Sequence, residues 1–179
     1  MAVRKKSETI NLRVSPESKN LLEGMSNVLG KTATQIIEEL IAVAAKSVQL
    51  KKLGDIVDTE SLEGGGLDLP TVVEVAYVEG EPILTKLRMF YIAPSAVGER
   101  DKLIVSAIVE SLDMFSGPSE LFADEEIPLK SNFGSMTPKL DLNKIHNKWE
   151  VLEEYAVFRG KNKSLNSTFS AFLKLTNRD

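Results

Sequence analysis

Within residues 8–14, polar and apolar side chains alternate strictly from Thr9 to Val14, and a helix start follows immediately. Because successive side chains of a β-strand point to opposite faces, the segment is predicted to be a strand with one apolar face. The apolar face consists of Ile10, Leu12 and Val14, and the polar face consists of Thr9, Asn11 and Arg13. A lone strand leaves its backbone hydrogen-bonding groups unpaired, so it requires a partner strand. The nearest candidate is the same strand of a second copy of the chain.

The segment after this strand carries helix start and stop signals on either side of a periodic apolar pattern. Ser15 is a favourable N-cap, Pro16 suits the first helical position, and Glu17 favours the positive end of the helix dipole. Gly30 is suited to a left-handed turn at the C-terminus. The pattern therefore predicts a helix over residues 16–29.

A second helix is predicted after a Gly-Lys-Thr junction at residues 30–32. Thr32 is its expected cap, and apolar residues recur at helical spacing over the positions that follow. We expect this helix to continue to about Leu53 and to stop at Gly54. Residues 54–70 contain three consecutive glycines and end in a proline, a composition that predicts a linker.

The remaining residues, 71–179, predict a separate C-terminal domain of mixed α/β composition and unassigned fold. Two strand-like runs flank a Glu-Gly-Glu-Pro turn and predict a β-hairpin. Helical periodicity follows, interrupted by a stretch rich in Gly, Ser, Pro and acidic residues that predicts a loop. The predicted strands span residues 71–78 and 83–92, the helices 99–115, 142–159 and 167–175, and the loop 116–140. We expect an α+β protein whose first domain covers residues 1–53.

Charge is distributed unevenly along the chain. Residues 1–52 carry nine lysines and arginines against five glutamates, although the whole chain has a net charge of -4. The rest of the chain is acidic, with 13 basic against 21 acidic residues. A basic head joined to an acidic body is typical of a segment that binds a polyanion.

Three motifs occur in order within residues 8–45. They are the strand Thr-Ile-Asn-Leu-Arg-Val with its Ser-Pro-Glu helix start, the Gly-Lys-Thr junction, and Ile-Ile-Glu-Glu-Leu at residues 36–40. With these motifs the segment resembles the ribbon-helix-helix family, the Arc- and MetJ-like dimeric DNA-binding proteins. The resemblance implies that two strands pair antiparallel across a two-fold axis and that the resulting ribbon enters the major groove.

The resemblance also implies a role for each face of the strand. Thr9, Asn11 and Arg13 of each copy would face base edges, and these side chains suit thymine, adenine and guanine respectively. The opposite face and the two helices would form the dimer core. The implied core residues are Ile10, Leu12, Val14, Leu21, Ile36, Ile37 and Leu40.

Contacts to DNA phosphate are implied at the start of the second helix. Free backbone N–H groups and the helix dipole make such an end suitable for anions. The residues implied to contact phosphate there are Lys31, Thr32 and Ala33. At the beginning of the chain, Arg4, Lys5 and Lys6 are either a phosphate-contacting arm or a solubilising tail.

Composition argues against several kinds of site. The chain has no cysteine and one histidine, which removes disulfides, thiolate zinc sites, cysteine nucleophiles and most multi-histidine metal sites. The Gly-Lys-Thr junction lacks a glycine at the spacing of a phosphate-binding loop, and it follows a helix instead of a strand. We therefore expect no enzymatic activity, no cofactor and no metal. Without a membrane-length apolar run or a signal peptide, we expect a soluble, cytoplasmic protein that does not contact the membrane.

The expected function is sequence-specific binding of double-stranded DNA by a homodimer or a higher oligomer, with transcriptional repression as the principal role. Two alternatives are an accessory protein for plasmid or mobile-element partition or transfer, and an antitoxin that represses its own promoter. The C-terminal domain would assemble dimers, sense a ligand or bind a protein partner. Its acidic composition fits both alternatives, whereas its capacity to fold argues against the short disordered tail of many antitoxins.

Overall fold

The computed structural model of the protein describes residues 9–122 and 127–178. The chain divides into two compact units, Met1–Ala44 and Ala45–Asp179. The described residues form ten α-helices, a two-stranded antiparallel sheet and one further short strand. The fold is therefore α+β in general terms, with helices dominating. Within the described ranges, no helix combines the length and the apolarity needed to cross a membrane.

The helices and strands are numbered in chain order. The α-helices are α1 (Pro16–Leu29), α2 (Ala33–Lys46), α3 (Leu69–Ala76), α4 (Pro82–Ile92), α5 (Glu99–Glu110), α6 (Leu112–Phe115), α7 (Phe133–Met136), α8 (Leu142–Asn147), α9 (Trp149–Lys161) and α10 (Phe169–Leu175). The strands are β1 (Gln49–Leu50), β2 (Leu67–Asp68) and β3 (Ser116–Ser119). Short 3-10 turns occupy Thr59–Ser61, Glu63–Gly65 and Pro94–Ala96.

Helix α1 begins and ends where the sequence predicts. The Ser15 hydroxyl accepts a hydrogen bond from the Ser18 backbone N–H at 3.1 Å, and Pro16 lies in the first helical turn. Gly30 ends the helix with φ 63° and ψ 27°, a left-handed conformation that a residue without a Cβ adopts most easily. No α1 side chain is buried in the single chain. Local capping, and not packing, therefore sets the limits of this helix.

Helix α2 starts at the predicted cap but ends earlier than predicted. The Gln35 N–H donates to Thr32 Oγ1 at 3.2 Å, and the Thr32 N–H donates to Gln35 Oε1 at 2.9 Å. This reciprocal arrangement is a capping box. The helix ends at Lys46, and Gln49–Leu50 forms β1, which pairs antiparallel with β2. The predicted extension of the helix to Leu53 is wrong, because the backbone of Gln49–Leu50 pairs with that of β2 instead of continuing the helix.

The strand predicted at residues 8–14 is not formed in the part that the structure describes, residues 9–14. A strand is defined by hydrogen bonds with a second strand, and none of the described pairings involves this segment. Ser15, at its end, has extended φ and ψ of -65° and 156°. The strand and its ribbon therefore stay a prediction that requires a second copy of the chain.

Residues 54–70 belong to the second unit and are not a linker. The Gly54 N–H donates to the Ile92 carbonyl oxygen at 2.7 Å, and a Cβ at this glycine would lie 1.7 Å from a backbone oxygen of α4. Ile56 and Val57 are each 1% exposed. The division between the units falls inside α2 and not after residue 53. Glycine content predicted flexibility, but buried side chains and close backbone packing hold this segment in place.

The β-hairpin predicted over residues 71–78 and 83–92 is instead a pair of helices, α3 and α4. The Asp68 carboxylate caps α3 by accepting a hydrogen bond from the Thr71 N–H at 2.8 Å. Hydrogen bonds from the Thr71 side chain and backbone hold the pKa of Asp68 below its usual range. Pro70 lies in the first turn of α3. These start signals lie at the end of the predicted linker, where the sequence interpretation did not use them.

Packing explains why the β-branched residues of this segment form a helix. Val72, Val75 and Ala76 recur at helical spacing and are buried on one side of α3. Intrinsic strand propensities span only about 1 kcal/mol, which burial of such side chains outweighs. The turn itself lies where predicted, with Gly80 at φ 78° and Pro82 in the first turn of α4. The C-terminal part is therefore mainly helical and not evenly mixed.

The other helices predicted in this part are present, with internal breaks. Residues 99–115 form α5 and α6, which are separated at the buried Ser111. Residues 142–159 fall in α8 and α9, which are separated at Lys148. The last predicted helix corresponds to α10. The stretch 116–140, predicted as a loop, also contains β3 and the one-turn helix α7.

The core of the second unit contains side chains from helices far apart in the sequence. Phe169 is fully buried, and its ring stacks on Phe115 with centroids 5.9 Å apart. Tyr155 meets the same ring edge-on at 5.5 Å. Ile108 and Leu152 are also completely buried. This unit therefore supplies its own packing partners.

Candidate nucleic-acid interface

The three residues predicted to contact bases lie on the segment before α1. Thr9, Asn11 and Arg13 are all exposed. Because Ser15 caps α1 directly after them, a helix with a defined start anchors one end of the segment. The apolar residues that alternate with them are exposed as well. One chain alone therefore leaves both sides of the segment open and does not distinguish a base-contacting face from a dimer face.

The same segment borders a groove of about 340 Å³ with α2. The side chains that line it are Thr9, Ile10, Leu12, Thr34, Ile37, Glu38 and Ile41. Thr9, which is predicted for the polar face, thus shares a groove with two residues of the apolar face. On the α2 side, the groove combines the apolar Ile37 and Ile41 with the polar Thr34 and Glu38.

The predicted dimer core is mostly open to solvent in the single chain. Five of its residues are more than half exposed: Ile10, Leu12, Val14, Leu21 and Leu40. Ile36 is 2% exposed, and Ile37 is half-buried. Further exposed apolar side chains of this unit are Met25, Val28, Leu29, Ile41 and Val43. Exposed apolar surface on this scale is typical of an association site.

The predicted phosphate site lies at the N-terminus of α2. The capping box occupies the N–H groups of Thr32 and Gln35. Ala33 and Thr34 lie in the first turn, where backbone N–H groups have no acceptor inside the helix. The first turn of α2 contains no acidic residue, so no side chain there neutralises the positive end of the dipole. The structure thus brings two of the predicted phosphate contacts, Thr32 and Ala33, to a helix end of the kind that anions favour.

Lys31, the third predicted phosphate contact, has an acidic partner that the sequence interpretation missed. Its Nζ lies 2.6 Å and 2.8 Å from the two carboxylate oxygens of Glu39. Eight residues separate the two, so the usual three- and four-residue spacings of helical ion pairs give no signal for this contact. The carbonyl oxygen of Lys31 also accepts a hydrogen bond from the Ser26 hydroxyl at 2.8 Å, which ties the junction to α1.

Of the remaining predicted basic contacts and surface lysines of the first unit, the structure describes some and not others. Arg4, Lys5 and Lys6 lie outside the described residues, so the phosphate-contacting arm stays a prediction. Lys19 on α1 forms an exposed ion pair with Glu23 at 3.6 Å. Such exposed ion pairs are weak, so the charge of Lys19 is only weakly held by Glu23.

The second unit presents a groove of about 390 Å³ beside its single tryptophan. His146, Trp149 and Lys86 line it. The Lys86 ammonium lies 5.8 Å from the centre of the Trp149 ring and 2.6 Å from a carboxylate oxygen of Asp101. Its charge is therefore already paired within the unit. Among the described residues, no group of three or more His, Cys, Asp or Glu side chains is arranged to hold a metal ion.

The first unit is the strongest candidate site in the part of the chain that the structure describes. It combines exposed apolar side chains, exposed side chains suited to base edges, and a helix N-terminus without acidic residues. The function of this site has to be argued from its own residues. The chain matches no protein-family model, and neither a curated protein nor a solved structure is significantly similar to it.

Proposed function

We propose that the protein binds double-stranded DNA as a homodimer through its first unit, and that it acts as a transcriptional repressor. The observation that carries this proposal is the exposure of the apolar side chains of this unit, of which Ile36 is the only one buried in the described residues. A unit of about 40 residues rarely buries enough surface to be stable without oligomerisation or another staple. A second copy would cover the same surface on both chains.

Antiparallel pairing of residues 9–14 from two copies would satisfy two structural requirements of this segment. It would pair the backbone groups of both segments, and it would bury one face of the ribbon against the helices. Because strand faces alternate, burial of Ile10, Leu12 and Val14 leaves the other face outward. That outward face presents Thr9, Asn11 and Arg13 from each chain. A two-stranded ribbon fits the major groove, where these side chains can discriminate between base pairs.

Phosphate contacts would provide most of the affinity and hold the ribbon in register. The first-turn N–H groups of Ala33 and Thr34 and the nearby Lys31 are suited to this role. The repressor would then occupy its operator through contacts of two kinds. Backbone contacts position the dimer, and the ribbon selects the sequence.

The folded second unit supports a second candidate function. It has a buried aromatic core of its own and is not a short disordered tail. An accessory protein for plasmid or mobile-element partition or transfer would use such a domain to bind a protein partner while the first unit holds DNA. An antitoxin is less well supported, because antitoxin tails are often short and disordered whereas this unit has a folded core.

Substitution of Arg13 by alanine tests the base-contacting role. A cognate site is first selected from genomic or random DNA, and binding is then titrated by fluorescence anisotropy. Arg13→Ala should lose about 1–3 kcal/mol of affinity at that site and relax base preference at one position in each half-site. Lys19→Ala removes a cation from the same unit but should leave base preference unchanged. If Arg13→Ala keeps the wild-type affinity and preference, the ribbon is not the base-contacting element.

The same titrations at several salt concentrations test the phosphate contacts. The logarithm of the binding constant should fall linearly with the logarithm of salt concentration, by about 0.9 for each phosphate neutralised. Binding that does not respond to salt would contradict phosphate anchoring by the basic residues of the first unit.

A further inference from the structure

The ion pair between Lys31 and Glu39 places an acidic side chain in competition with DNA. Both carboxylate oxygens of Glu39 lie within hydrogen-bonding distance of one ammonium group, at 2.6 Å and 2.8 Å. A bidentate contact of this kind uses the charge of Lys31 within the protein. A phosphate at the start of α2 would need that same charge.

The pair also draws the lysine away from the helix end. Glu39 lies six residues after Ala33, about 9 Å farther along the helix axis at 1.5 Å per residue. The side chain of Lys31 therefore runs along the side of α2 toward Glu39. While it is paired with Glu39, the ammonium is less available to an anion at the first-turn N–H groups.

We propose that Glu39 limits the affinity for DNA by competing with backbone phosphate for Lys31. This inference rests on the proposed function of the first unit. Glu39 acts here as a positioning residue, because it sets the availability of Lys31 and contacts no base. Phosphate contacts carry no direct sequence information, so the competition weakens binding to all sequences alike. Base contacts of the ribbon then contribute a larger share of the total binding free energy.

The ion pair between Lys31 and Glu39 is weak enough for a phosphate to displace the carboxylate. The side chains of Lys31 and Glu39 are 42% and 57% exposed, and exposed ion pairs are weak because water screens them. The cap of α2 does not depend on the pair, since Thr32 bonds to Gln35 and not to Glu39. Removal of the Glu39 charge should therefore leave the helix start intact.

The test compares Glu39→Gln with Glu38→Gln, its exposed neighbour on α2, in the full chain. The two substitutions remove the same charge, but only Glu39 contacts Lys31 among the contacts that the structure describes. Beyond the effect of Glu38→Gln, Glu39→Gln should tighten binding by about two- to fivefold per subunit. The gain should be equal on a cognate and an unrelated duplex, and the salt slope should steepen by about 0.9 for each lysine released.

A double-mutant cycle with Lys31→Ala tests whether the gain in DNA affinity depends on Lys31. In the Lys31→Ala background, Glu39→Gln should tighten binding no more than Glu38→Gln does. An extra gain that persists there, or equal effects of the two glutamine variants in the wild-type background, would overturn the inference. The proposed function would survive that result if the wild-type protein still binds DNA with a steep salt response. A wild-type protein that binds neither duplex would overturn both.

Discussion

The first unit exposes most of its large apolar side chains, whereas the second unit buries them in a continuous core. In the first unit, the described residues include one buried side chain, that of Ile36. In the second unit, Phe115 and Phe169 stack on each other within a core that also contains many buried aliphatic side chains. Both units contain amphipathic helices with side-chain caps, such as α1 in the first unit and α3 in the second. They differ in what those helices pack against.

This difference shows that caps and periodicity form a helix without completing a core. Helix α1 has a serine cap and a glycine terminator, yet it buries none of its side chains in one chain. Helices of its length are marginal in water without packing partners. The second unit finds those partners in its own distant segments, and we infer that the first unit finds them in a second copy.

The largest effect should follow from emptying the core of the second unit. Phe169→Ala removes a fully buried ring that contacts Phe115 and Tyr155, and should destabilise the unit by about 3–5 kcal/mol. Leu175→Ala, at an exposed position on the same helix, should change stability by less than about 0.5 kcal/mol. Urea denaturation measures both, and the loss should not depend on protein concentration. A concentration-dependent loss would show that this core also needs a second chain.

A smaller effect, confined to the first unit, should follow from truncating its apolar face. Leu12→Ala should weaken the proposed dimer by about 1.5–3 kcal/mol per subunit, because the side chain is exposed in one chain and would be buried between two. Asn11→Ala, on the opposite face, should leave the dimer intact. Sedimentation over a range of concentrations measures the monomer–dimer equilibrium. Equal monomer–dimer dissociation constants for the two variants would show that the two faces of the segment do not differ in their contribution to the dimer.

The smallest effects should come from two glycines of the first unit, with opposite signs. Gly30→Ala forces a side chain into a left-handed conformation and should destabilise the unit by about 1–2 kcal/mol. Gly24→Ala lies inside α1, where a Cβ would meet no heavy atom within 4 Å, and should stabilise it by about 0.5–1 kcal/mol. Thermal unfolding followed by circular dichroism compares them. A loss of stability at Gly24 would instead indicate that a second copy packs closely against α1.

Elements whose signals are local were predictable from sequence. The serine cap, the proline in the first turn and the terminal glycine of α1 act within a few residues, and the helix limits agree with the prediction. The start of α2 at Thr32 was predictable for the same reason, although its capping partner Gln35 was not recognised. The turn at Gly80 was also located correctly.

Elements whose conformation depends on distant partners were mispredicted. The β-branched residues of α3 suggested a strand, but their burial on one side of a helix determines the outcome. The glycine-rich segment after Gly54 suggested a linker, but Ile56 and Val57 are buried in the second unit. Strand β1 replaces the end of the predicted second helix because β2 lies beside it. None of these partners is visible in a short window of sequence.

The candidate site divides in the same way. Alternation over a few positions places Thr9, Asn11 and Arg13 on one face, and the family resemblance implies that they contact bases; all three are exposed in the structure. The proposed competition at Lys31 depends on a contact across eight residues with Glu39, which the three- and four-residue spacings of helical ion pairs do not predict. The contact therefore supports a proposed constraint on affinity at a site that the alternation and the family resemblance together had suggested.

The sequence by itself determined the capped helix α1, the start of α2 and the alternating segment before them, because capping and side-chain alternation act between near neighbours. Only the tertiary structure decided that α3 and α4 are helices, that residues 54–70 pack into the second unit, and that Glu39 pairs with Lys31. These outcomes depend on which distant groups come together, since burial and pairing outweigh local propensities of about 1 kcal/mol.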